Sequence, residues 1–179
     1  MFELYKSNYS ELGTLVEVSI DAPEGIIKRC FKEHAIIANG SQSIKTQEEV
    51  EYAFQTEVYW ITKLKSEWIP KTLDIDFTSR TIMQEYTHPD LLSSKSNLKT
   101  LVPGINEQIL EMYRFFKKHN VYKRNGSLSN LTLRNKQIVA FDFKWALERP
   151  NGIDLELKSY RKWLSKIDDN LESELIKLL

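Results

Sequence analysis

The chain has 179 residues, with 25 Lys and Arg balancing 25 Asp and Glu, so it fits one medium domain and offers nucleic acid or an anionic membrane no global field. A single cysteine, Cys30, excludes an internal disulfide and a Cys-based zinc site, and fits a reducing compartment. No run approaches the ~20 apolar residues of a membrane span, and MFELYKSNYSEL alternates polar and apolar residues instead of building a signal peptide's apolar core; a soluble, cytoplasmic protein is expected.

In chain order, FELYK, TLVEVSI and IIKRCF favour extended backbone and are separated by SNYSELG and by the turn DAPEG, which predicts a three-stranded antiparallel meander. A helix follows. Thr46 as N-cap with Glu49 three residues on has the capping-box pattern, and Val50, Phe54, Val58, Ile61 and Leu64 fall on one face, with Trp68-Ile69-Pro70 ending the helix. TLDIDF and TIMQEY predict two more strands joined through Thr78 to Arg80. The stretch from Thr87 to Pro103 is polar and irregular and predicts a connector.

GINEQILEMYRFFKKHN then reads as an amphipathic helix with Ile105, Ile109, Met112, Tyr113 and Phe116 on its apolar side. The last segment, IDLELKSYRKWLSKIDDNLESELIKLL, reads as one helix carrying Leu157, Tyr160, Leu164, Ile167, Leu171, Leu175 and Leu178 at three- and four-residue steps. Such a stripe either packs on its own domain or meets a second copy in a homodimer.

Between the two helices, YKRNGSLSNLTLRNKQIVAFDFKWA (122–146) predicts a polar loop, a strand, a tight turn at Arg134 to Lys136 and a second strand. An amide, Asn130, and a carboxylate, Asp142, stand at its two ends. Two oxygen ligands on neighbouring strand ends suit a hard cation such as Mg²⁺, whose remaining positions are filled by water and phosphate.

This order of elements resembles the protein-kinase-like fold in a reduced form, closer to aminoglycoside, lipopolysaccharide and RIO-type kinases than to full-length protein kinases. The motifs H-R-D-x-x-x-x-N and D-F-G of that family are met by Lys123-Arg124-Asn125, Asn130 and Asp142-Phe143-Lys144. The resemblance implies an α+β, two-lobed fold: an antiparallel five-stranded N-lobe sheet with one helix over 1–86, a hinge over 87–103 and a small, mainly helical C-lobe over 104–179. It implies a phosphotransferase with Mg-ATP bound between the lobes. Asp142 and Asn130 become the metal ligands, and Lys28, with Lys32 as competitor, the lysine that pairs with phosphate. Glu57 becomes its ion-pair partner, and the backbone of Glu85, Tyr86 and Thr87 the contact to adenine.

Two departures from the family pattern matter. SNYSELG holds only Gly13 where a glycine-rich phosphate cover is common. Asn125 stands at the position of the catalytic Asp, and an amide does not accept a proton as a carboxylate does. Three readings follow: a natural pseudokinase acting as a nucleotide- or partner-binding scaffold, an engineered Asp-to-Asn form, or an enzyme that retains activity through positioning and charge.

The short FKWALERPNG after Asp142 leaves no room for a long activation segment, which favours a small-molecule or docked protein acceptor. The basic run Arg114, Lys117, Lys118, Lys123 and Arg124 suits an anionic one. The economy of the chain suggests a minimal, phage-encoded kinase relative.

Overall fold

A computed structural model describes residues 1–4, 15–32, 34–36, 42–44, 46–87, 98–124, 130–152, 154–156, 164–165, 167–168 and 170–178. The fold is mixed α and β, its sheets antiparallel, and the chain divides into two compact units: Met1–Lys63 with Pro70–Tyr86, and Leu64–Ile69 with Thr87–Leu179.

In the first unit, β1 (Glu3–Leu4), β2 (Val16–Asp21), β3 (Ile26–Phe31), β6 (Thr72–Asp76) and β7 (Thr81–Glu85) pair in the order β1-β2-β3-β7-β6. The β2–β3 turn closes where Gly25, at φ 66°, donates its N–H to the Ala22 carbonyl at 3.1 Å, a backbone conformation that glycine adopts without cost. The β6–β7 turn is held by the Asp76 carboxylate, which accepts the N–H groups of Thr78 and Ser79 and the Ser79 hydroxyl at 2.8, 3.2 and 2.7 Å. A further hairpin, β4 (His34–Ile36) with β5 (Gln42–Ile44), lies between β3 and the helix, where the sequence signals none.

Helix α1 (Gln47–Lys63) begins at the predicted capping box. The Glu49 N–H donates to Thr46 Oγ1 at 3.2 Å, and the Thr46 N–H donates to Glu49 Oε2 at 3.0 Å. The helix stops at Lys63, short of the expected Trp68-Ile69-Pro70. Its buried face is broader than the predicted stripe: Ala53, Glu57 and Trp60 join Val50, Phe54 and Ile61, whereas Val58 is only half-buried. Phe54 packs edge-on against Phe31 at 5.4 Å between ring centroids, which fixes α1 on the β3 face that carries Phe31.

Leu64–Ile69, expected in the first lobe, belongs to the second unit. The reason lies in its backbone bonds. Trp68 accepts the Ala140 N–H at 2.8 Å through its carbonyl, and the Glu67 carbonyl accepts the Arg134 guanidinium at 2.5 Å.

The rest of the second unit contains α2 (Leu98–Leu101), α3 (Ile105–Lys118), β8 (Val121–Tyr122), β9 (Leu131–Arg134), β10 (Gln137–Ala140), β11 (Leu147–Glu148) and α4 (Leu171–Leu178). All five residues of the predicted apolar face of α3 are buried. The C-terminal segment is not one continuous helix. Turns at Ser165, Ile167 and Asn170 precede α4, and Asp168 Oδ1 accepts the Asn170 N–H at 2.8 Å. An Asp side chain offers the backbone such an alternative to helix, which interrupts the segment between Asp168 and α4. Leu164, Ile167, Leu171 and Leu175 are buried inside the chain, so the expected dimer stripe has none of these four to present; Leu157, Tyr160 and the Leu178 side chain lie outside the described residues.

Candidate active site

The second unit carries the polar loop that follows β8 and the Asp142-Phe143-Lys144 segment. Helix α3 ends at His119, and Asn120 at φ 54° turns the chain into β8, which pairs antiparallel with β11. Lys123 follows β8 and is buried, its Nζ lying 5.0 Å from the centroid of the Phe143 ring. That cation–π contact joins the first residue of the loop motif to the middle residue of Asp142-Phe143-Lys144. Phe143, fully buried, also meets Phe116 of α3 edge-on at 5.9 Å.

The loop stem is gripped from the C-terminal side. The Arg124 N–H donates to Glu156 Oε1, and Glu156 is itself buried. Gly152 sits so close to β8 that an added Cβ would lie 2.5 Å from Tyr122 Cβ and 3.0 Å from its Cα. Arg124 adopts φ 67°, an uncommon backbone for a residue with a side chain, held by the carboxylate on its N–H. Asn125 itself, the expected position of the catalytic base, lies outside the described residues.

On the far side of the loop, β9 and β10 form a two-stranded ribbon in which Leu131 pairs with Ala140. Asn130 stands one residue before this pair, and its carbonyl accepts the Phe141 N–H at 3.1 Å. Asp142 comes one residue later, so Asn130 and Asp142 occupy the same open end of the ribbon, as the sequence predicts. Gln108 of α3 fixes the ribbon: its Nε2 donates to the Pro103 and Lys136 carbonyls at 3.0 and 3.1 Å, and its Oε1 accepts the Ile138 N–H at 2.8 Å.

Asp142 also adopts a positive φ, 67°. Its Oδ1 is bonded by the Lys144 ammonium, and both side chains are largely shielded, at 15% and 16% exposure. Among the described residues no group of three or more His, Cys, Asp or Glu side chains could hold a metal ion. Asn130 and Asp142 both carry side-chain oxygen at one ribbon end, the donor type that a hard cation takes. The ammonium on Oδ1 marks a direction from which this carboxylate accepts a cation.

In the first unit the expected Lys28–Glu57 pair is replaced by another. Arg29 donates through Nη1 to Glu57 Oε1 at 2.5 Å, and both residues are buried. Successive strand residues point to opposite faces, so when Arg29 and Phe31 turn toward α1, Lys28 turns away. Lys28 instead adds weakly to the field that lowers the Asp76 carboxyl below its usual value, an effect due mainly to the Ser79 hydroxyl and N–H. Lys32 is bonded to Glu17 at 2.6 Å on the exposed surface.

Two backbone donors at the expected adenine contact are engaged within the first unit. The Glu85 N–H donates to the Lys71 carbonyl at 2.9 Å and the Tyr86 N–H to the Gly25 carbonyl at 2.8 Å. These pairings occupy the Glu85 and Tyr86 N–H groups.

Sequence reasoning missed Arg29, Gln108, Glu156, Gly152 and the role of Lys144. Arg29 had a signal, since it shares strand parity with Phe31, the largest apolar residue of IIKRCF. Gln108 and Glu156 had none, being polar residues on helical segments.

No protein-family model matches this sequence, and no curated protein matches it in sequence. Among the described residues no helix is long and apolar enough to cross a membrane.

Proposed function

We propose that the chain is a kinase-like phosphotransferase that binds Mg-ATP, with Asp142 and Asn130 as metal ligands. The observation that carries this reading is the ribbon register, which brings an amide and a carboxylate 12 positions apart in sequence to one strand end. The Lys123–Phe143 contact supports it by joining the two motifs on which the resemblance rests.

Bound Mg²⁺ would supply positive charge to the nucleotide's phosphates. Asp142 and Asn130 would hold that ion. Within the first unit, Glu57 holds Arg29 rather than Lys28. Gln108 and Glu156 set the ribbon and the loop stem in place. Asn125 can orient an acceptor hydroxyl through its amide oxygen, but the hydroxyl proton has no carboxylate to receive it there, so transfer is slow. The short segment after Asp142 suits a small-molecule or docked protein acceptor.

A second reading, a pseudokinase that binds nucleotide or a partner without turnover, draws on Asn125 together with the Lys144 ammonium on Asp142.

The test is a thermal-shift titration with ATP, in Mg²⁺ and then in EDTA. Ligand at about a hundred times its dissociation constant adds about 2.7 kcal/mol, which raises the melting midpoint by several degrees. The rise should need Mg²⁺ and vanish in Asp142→Ala. No shift at millimolar ATP in either condition would overturn both readings of nucleotide binding.

A further inference from the structure

We propose that Lys144 is a tethered cation that competes with a divalent ion for the Asp142 carboxylate, so that the free chain binds divalent metal weakly. The inference rests on the reading of Asp142 as a metal ligand and concerns how that site is controlled.

Three observations carry it. The Lys144 ammonium bonds Asp142 Oδ1 directly, two residues away along a loop whose φ of 67° at Asp142 fixes the course of the chain. Both side chains are about five-sixths shielded from water, so their attraction is weakly screened. Among the described residues no cluster of three ionisable ligands exists to outbid the ammonium with added negative charge.

A divalent ion arriving at Asp142 therefore meets a carboxylate already held by an ammonium. It must displace the ammonium, and the displaced Lys144 needs a new anionic partner. A nucleotide's phosphates supply such a partner, together with further oxygen ligands for the metal. Metal binding and phosphate binding are then coupled: each removes an obstacle to the other.

The experiment measures Mn²⁺ binding to the whole chain without nucleotide, from the loss of the free-ion paramagnetic resonance signal. The wild type is compared with Lys144→Met, Lys144→Gln and Lys144→Arg, and with Asp142→Asn added to each neutral variant. The two neutral replacements guard against one that fails to fold, which circular dichroism identifies. The expected result is Mn²⁺ affinity roughly tenfold or more tighter in the neutral variants, a charge effect of about 1.4 kcal/mol by that conversion. Lys144→Arg should stay near wild type, and Asp142→Asn should abolish the gain.

Equal affinity in wild type and neutral variants, still lost with Asp142→Asn, would overturn the competition while leaving the metal-ligand reading intact. No Mn²⁺ binding in any variant, combined with no ATP-dependent thermal shift, would overturn both. A gain that survives Asp142→Asn would place the metal elsewhere and likewise sink the proposal.

Discussion

Arg29 and Glu57 form a buried ion pair across 28 positions of sequence, the guanidinium 2.5 Å from the carboxylate with side-chain exposures of 7% and 0%. Removing one member of such a pair leaves the other charge buried and costs about 3–5 kcal/mol. Glu57→Ala should lower the urea unfolding free energy by about that amount, whereas Lys28→Ala should change it by less than about 0.5 kcal/mol. A large effect of Lys28→Ala with a small one at Glu57 would return the pairing role to Lys28.

Gln108 makes three side-chain hydrogen bonds, two of them to the β9–β10 ribbon. Gln108→Leu leaves the Ile138 N–H and the Lys136 carbonyl without that amide. We expect a loss of about 1–3 kcal/mol by chemical denaturation, and weaker Mg-ATP binding by calorimetry because the ribbon end is less fixed. Stability lost with unchanged nucleotide affinity would separate the ribbon from the site.

Gly152→Ala brings a methyl group against Tyr122, including its backbone. Overpacking of this kind costs about 1–3 kcal/mol, so the melting midpoint should fall by several degrees. A midpoint within one degree of wild type, by the same measure, would mean that the helical turn at 154–156 moves away from β8 freely.

Asp168 gives a pH signature. The Lys99 ammonium at 2.5 Å, the Asn170 N–H and the Asn106 amide together lower its carboxyl from the usual 3.8 to about 2. A carboxyl depressed in the folded state stabilises above its unfolded value, and that contribution is lost as pH falls from near 4 through about 2. Melting midpoints from pH 5 to about 2 should therefore drop more steeply in wild type than in Lys99→Met. Parallel curves would show that Lys99 does not set the Asp168 proton affinity.

Asn125→Asp should create or raise ATP-dependent phosphoryl transfer, or ATP hydrolysis, read by release of labelled phosphate. A positioned general base contributes typically about 10²–10⁴-fold. If the variant binds Mg-ATP with a normal thermal shift yet neither hydrolyses nor transfers phosphate to any acceptor, the scaffold reading prevails.

Local chemistry was legible where neighbouring residues decide it. The Thr46–Glu49 capping box forms as written because both partners lie within one turn. The apolar side of α3 follows from its period alone. The ribbon placing Asn130 and Asp142 at one end follows from two short strands and a tight turn. By contrast, the C-terminal stripe kept a regular apolar spacing through a break, since the Asp168 side chain competes for the backbone there and periodicity does not register that.

Periodicity, capping and turn residues specify the main elements and their order. Which side chains meet depends on how those elements pack. Alternation along β3 leaves two faces open, and the packing of α1 over Phe31 chose the face of Arg29 rather than that of Lys28. Pairing of Glu85 and Tyr86 within the sheet likewise removed donors that a linear reading left available to a ligand. Lys144 on Asp142, Glu156 on Arg124 and Gly152 against Tyr122 depend on loops and turns whose direction is set by the surrounding core. Hydrophobic periodicity specifies an element's buried side, but the partner of each polar group is fixed only when two elements come together in space.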